Sequence, residues 1–71
     1  MNKELKNKVF MFIVANKSRK VWTAKSLSKR LEINGISIAC AMSELAKDNL
    51  VVIDTSRRIY RYSLSEEVFK N

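Results

Sequence analysis

The chain has no means of stapling itself. Its 71 residues include one cysteine, Cys40, and no histidine, which excludes both a disulfide framework and the usual zinc constellations. A chain of this length buries only about 60% of its unfolded surface. Its core must therefore come from helix and strand faces packed on one another, and the spacing of apolar residues becomes decisive. A large enzyme cleft is excluded on the same ground. Hydrophobic residues make up 46% of the sequence and charged residues 30%, the composition of a folded domain and not of a disordered tail. With no proline, only Gly35 and no low-complexity run or repeat, nothing marks an internal linker. Residues 1–71 read as one domain.

Three helices can be placed from periodicity and caps. From about Lys3 to Asn16, the residues Leu5, Val9, Phe12 and Ile13 fall on one face of a 3.6-residue period, with Asn2 available as N-cap. Phe10, Met11 and Val14 point away from that face, so this helix needs partners on two sides. Thr23 stands where an N-cap belongs. Behind it Ala24, Leu27 and Leu31 form a short second helix whose outer face carries Lys25, Lys29 and Arg30 and which ends near Glu32. Asn34 is the next cap, and Ile38, Ala41, Met42 and Leu45 make the buried stripe of a third helix running to about Lys47 or Asp48. Asn49 then suits the left-handed conformation that closes a helix.

The remainder is strand-like. Val21-Trp22 reads as a very short β segment before the second helix. Leu50–Ile53 and Arg58–Tyr62 read as two strands of a hairpin, joined by Asp54-Thr55-Ser56-Arg57, a turn without glycine. Tyr60 and Tyr62 alternate with Ile59 and Arg61, and one of these stripes faces the core. Ser63 and Glu66 have capping-box spacing for a last short helix through Phe69.

Charge is placed unevenly. Fourteen Lys and Arg against seven Asp and Glu give a net charge of +7, which calls for an anionic partner, nucleic acid before membrane. Residues 1–31 hold nine basic residues and one acid, residues 32–56 one base and four acids, and residues 57–71 four bases and two acids. The seven-residue apolar run Val9–Ala15 is too short for a membrane span, and no secretory cleavage pattern follows it. A cytoplasmic setting is expected. Paired carboxylates, a Gly-rich phosphate loop and metal-ligand spacing are all missing from the sequence, so neither an enzyme, a small-molecule site nor a cofactor is expected.

The order helix, short strand, helix, helix, hairpin gives an α+β expectation: a winged helix-turn-helix, a three-helix bundle with a two- to three-stranded antiparallel wing. The stretch Thr23–Val51 resembles the tri-helical core of many prokaryotic regulators. Thr23 matches the cap of helix 2, Leu27 and Leu31 its buried positions, Ile33 the apolar turn residue, Asn34 the cap of the recognition helix, and Ile38, Met42 and Leu45 its buried stripe. Arg58, Tyr62 and Leu64 match the closing wing strand. In size and layout the chain is most similar to the small regulators of bacterial fimbrial operons, the FaeA/PapI-like family. Position 32 departs from that pattern, because Glu32 stands where the family has a turn glycine. A different turn, or Glu32 in a strained backbone, is expected there.

That resemblance implies a homodimeric or monomeric transcription regulator bound to double-stranded DNA, with helix 3 in the major groove. The candidate reading face carries Ile36, Cys40, Ser43 and Lys47, flanked by Ser37, Ala39 and Glu44. It offers thymine-methyl contacts from Ile36 and Ala39 and the hydroxyls of Ser37 and Ser43 in place of bidentate purine contacts. The caps Thr23 and Asn34 and the adjacent Gly35 belong to the same interface. Phosphate contacts are expected from Lys17, Arg19 and Lys20 in the first connector, Lys25, Lys29 and Arg30 on helix 2, and Arg57 and Arg58 at the wing tip. Cys40 reads as an inert thiol or a redox sensor, and Trp22 as a core residue or a stacking platform. Phe10, Met11, Val14, Val68 and Phe69 read either as helix 1 covered by the C-terminal turn or as a homodimer interface. The competing function is a winged-helix module that docks the uncharged helix 3 face on a protein, favoured by Glu32, Glu44, Asp48 and Asp54 around that helix.

Overall fold

Three helices form where the apolar stripes require them. In the computed structural model, which describes residues 3–69 apart from the side chains of Glu67 and Phe69, α1 spans Lys3–Ala15, α2 Ala24–Leu31 and α3 Gly35–Lys47. β1, Val51–Asp54, and β2, Arg61–Leu64, follow, and a 3-10 turn covers Glu66–Phe69. The order is that of a small α+β domain and is compatible with a winged helix. One core joins the three helices, both strands and the Trp22 bridge: Val9 and Ile13 of α1, Leu27 of α2, Ile38, Ala41, Met42 and Leu45 of α3, with Trp22, Val51 and Tyr62. No charged residue is buried among those described, and the interior rests chiefly on apolar contact, with the Trp22 indole N–H buried and without a hydrogen-bond partner among the described residues.

Local hydrogen bonds explain where the helices begin and end. The Thr23 hydroxyl accepts from the Ser26 amide at 3.1 Å while the Ser26 hydroxyl accepts from the Thr23 amide at 2.9 Å. This is a capping box with serine in the place of the usual Glu or Gln. The Asn34 side-chain oxygen accepts from the Ile36 amide at 2.8 Å and starts α3. At the far end Asn49 has φ 61°. Its amide donates to Ala46 O and the Leu50 amide to Leu45 O, each at 3.0 Å, the bond pair of a Schellman motif. Asn2, the expected cap of α1, lies outside the described residues.

The hairpin departs from expectation in its register. β1 and β2 pair antiparallel, with Val51 opposite Leu64, Ile53 opposite Tyr62 and Asp54 opposite Arg61. On its other side Tyr62 exchanges both backbone bonds with Trp22, at 2.8 and 2.7 Å, so the third strand is a single bridge. The second strand was expected at Arg58–Tyr62 and is found at Arg61–Leu64. Burying Tyr62 between Ile53 and Trp22 fixes that position, and Arg58, Ile59 and Tyr60 fall into a connection spanning 55–60. Ile59 and Tyr60 are accordingly 66% and 51% exposed. The first strand begins at Val51 and not at Leu50, because Leu50 is used in closing α3. The last turn opens after Ser65, whose carbonyl accepts from the Val68 amide at 3.1 Å. Ser63 lies inside β2 and does not cap that turn.

Candidate nucleic-acid interface

The α3 face opposite the core is built as its spacing implied. Ile36, Cys40, Ser43 and Lys47 are exposed, Ile36 by 76%, while Ser37, Ala39 and Glu44 are half-buried. Its chemistry is uncharged except at its end, where Lys47 Nζ lies 4.0 Å from Glu44. Gly35 is the first residue of α3, and a Cβ there would meet nothing within 4 Å, so this position is open for a partner to approach. Thr23 and Asn34 use their side-chain oxygens to cap helices and act on the interface by setting the directions of α2 and α3.

The turn between α2 and α3 holds the departure noted at position 32. Glu32 adopts a left-handed backbone, φ 55° and ψ 42°, and its amide donates to Ser28 O. The Ile33 amide donates to the same carbonyl at 3.3 Å, and the Ser28 hydroxyl donates back to Ile33 O. Ser28 thus ties both strands of the turn together, and half-buried Ile33 packs on the core. The turn is strained at one residue and clamped around it.

Basic side chains gather in two concavities at opposite ends of β2. Lys17, Arg19 and Lys20 of the connector meet Leu64 at one end. Arg57, Arg58 and Ile59 of the hairpin connection, Arg61 of β2 and Thr23 line the other. Among the described residues neither lining contains a carboxylate. Sequence reasoning missed Arg61 and Ile59 as members of this second group. The Asp54–Arg61 register could have found them only with the hairpin position known. Lys25, Lys29 and Arg30 are exposed on α2 but line neither concavity.

Ion pairing draws the acids, and not these cations, out of play. Among the described residues the ion pairs are Lys6 with Asp48 and Lys47 with Glu44. The connector, α2 and hairpin cations have, among the described residues, no carboxylate at ion-pair distance. Asp54 is engaged within its own turn: its Oδ1 accepts from the Ser56 hydroxyl and from the Ser56 amide, the latter at 2.9 Å. Those bonds, the hydroxyl's first, hold its carboxyl below the usual carboxylate range, with smaller help from Arg57 and Arg61.

Trp22 settles into the core and carries Arg19 on its surface. The indole is 2% exposed and meets the Phe12 ring edge-on, 5.4 Å between centroids and 65° between planes. The Arg19 guanidinium carbon lies 4.4 Å from the indole centroid, and its Nε–H donates to Val21 O at 3.1 Å. Of the apolar cluster on the far side of α1, Phe10, Val14 and Val68 are half-buried and Met11 is 63% exposed. Phe10 packs against the core, and the side chain of Phe69 lies outside the described residues.

No protein-family model, curated protein or solved structure matches this chain. Among the described residues no helix is long and apolar enough to cross a membrane.

Proposed function

We propose that this protein is a winged helix-turn-helix regulator of prokaryotic transcription that occupies double-stranded DNA and performs no chemistry on it, similar in layout to the small fimbrial-operon regulators. One observation carries the reading: two concavities at the ends of β2, each lined by three cations and, among the described residues, by no carboxylate. With Asp54 turned to Ser56 in its own turn, these cations repel one another in a folded chain of net charge +7 unless an anionic partner relieves the repulsion. Regularly spaced phosphates are such a partner. In this reading α3 enters the major groove with Ile36, Ser37, Ala39, Cys40 and Ser43 toward the base edges. The connector, α2 and hairpin cations hold the backbone on either side. Two of the acids around α3 that would repel DNA are already matched, Asp48 by Lys6 and Glu44 by Lys47, which weakens the electrostatic objection.

The exposed Ile36 and the uncharged helix face support a second reading, a protein-docking module. Fluorescence anisotropy separates the two, using a labelled random duplex and a pool of promoter fragments across a salt series. The regulator binds some promoters over the random duplex, with log K falling against log salt by a slope of about −4 to −5 if five phosphates are neutralised. Ser37→Glu, which puts a carboxylate on the reading face, abolishes that preference. A docking module binds none of the duplexes at about 100 mM salt, where even non-specific DNA association is ordinarily measurable.

A further inference from the structure

We infer that Arg19, laid on the indole of Trp22, is a preformed seat for one backbone phosphate, and that this seat, rather than diffuse charge, fixes the position of the protein on its nucleic acid. The inference rests on the DNA-binding reading and assigns a specific role within it. An exposed arginine ordinarily samples many rotamers and loses that freedom when it binds. Here the loss has already occurred on folding. The guanidinium is stacked 4.4 Å from the ring centroid, and its Nε–H is held by Val21 O. The ring beneath is itself fixed by Phe12 and by the two backbone bonds between Trp22 and Tyr62.

The backbone under Arg19 is equally constrained, its amide donating to Asn16 O at 3.0 Å and the Lys17 amide to Val14 O at 3.3 Å. With Nε occupied, the four N–H groups of the two terminal nitrogens remain, the fork that matches two oxygens of a phosphodiester. Lys17 and Lys20 line the same small concavity and add charge without that geometry. Arg19 therefore supplies position, and its lysine neighbours supply attraction.

Trp22 is the only tryptophan in the chain, so its emission reports on the seat directly. The test titrates the protein with a short mixed-sequence duplex at low salt, following anisotropy of the labelled duplex and Trp22 emission together, for the wild type, Arg19→Lys and Lys20→Gln. The two signals should follow one isotherm in the wild type. Arg19→Lys, which keeps the charge and loses the fork and the stack, should weaken binding by about two- to fivefold with an unchanged salt slope. Lys20→Gln should instead reduce the slope by about one unit. Wild-type affinity in Arg19→Lys, or flat Trp22 emission while the duplex binds, overturns the seat and leaves the DNA reading standing. If no duplex binds, the DNA reading fails and inorganic pyrophosphate decides the seat by itself. A saturable Trp22 response that Arg19→Lys abolishes supports it, and no response overturns it.

Discussion

Glu32 carries a side chain where the backbone favours none. A left-handed residue with a Cβ costs about 1–2 kcal/mol over the right-handed alternative, and Glu32, at φ 55°, bears that cost so that Ser28 can clamp the turn into α3. Glu32→Gly should therefore raise stability by about 1 kcal/mol, less the backbone entropy glycine loses. Thermal unfolding would show it as a rise of about 4–8 °C per kcal/mol. The same change at Asn49, φ 61°, should gain less, since asparagine tolerates this conformation. Both positions were legible in the sequence, Asn49 as a helix-closing residue and Glu32 as a glycine position without its glycine, because each depends only on its neighbours. Tyr62 is a different case. Burial first, and the neighbouring Tyr60 second, push its phenol above the ordinary tyrosine range. A raised pKa means the folded state holds the proton more tightly than the unfolded chain. That contribution is complete below the ordinary tyrosine pKa and is lost as pH rises through the raised value. Stability should fall in that alkaline window in the wild type and much less in Tyr62→Phe, as a pH series of denaturant melts would show.

At the scale of elements, what was legible divides by the range of the interactions that fix each piece. The helices were placed within a residue or so, because caps such as Thr23 and Asn34 and stripes such as Ile38, Ala41, Met42 and Leu45 are local signals. The second strand was misplaced by three residues. Its own composition, Ile59-Tyr60 above all, is strand-like, but its register is decided by Trp22, forty residues earlier in the chain, pairing with Tyr62. No local pattern carries that information. The corrected register makes a sharp expectation. Ile59→Ser and Tyr60→Ser lie outside the sheet and should each change stability by no more than about 0.5 kcal/mol. Tyr62→Ala opens the core between Ile53, Trp22 and Val51 and should cost about 3 kcal/mol or more. Denaturant unfolding of the three variants checks this. A large loss in Tyr60→Ser would place the strand where its composition suggested. The same displacement hid two members of the hairpin concavity, since Arg61 and Ile59 join Arg57 and Arg58 only when the hairpin connection runs through Tyr60.

Across the whole molecule the fold gathers what the sequence separates. The basic residues concentrate at the two ends of the chain and the acids in the middle. The Trp22–Tyr62 bridge joins the first basic region to the last, while Asp48 and Glu44 from the middle are matched by Lys6 and Lys47. On the DNA-binding proposal these cations act as one surface, on a molecule with principal extents of 31 × 29 × 22 Å. The longest dimension is close to one turn of B-DNA, about 34–36 Å, which on that proposal lets one copy cover about one half-site. Lys29 and Arg30 test whether that surface works as a unit. They are exposed, line neither concavity and have no carboxylate at ion-pair distance among the described residues, but they stand in the last turn of α2, where cations suit the helix dipole. Lys29→Glu with Arg30→Glu lowers the formal charge by four, from +7 to +3, and acids in the last turn of α2 should cost about 0.3–1 kcal/mol each. If phosphates are held on α2 as well as on the connector and hairpin, duplex retention at physiological salt should be lost in the double variant while its thermal melt stays cooperative and falls only by that helix-end cost. If retention is unchanged, α2 faces away from the nucleic acid, and the two concavities at the ends of β2 must hold the backbone without it.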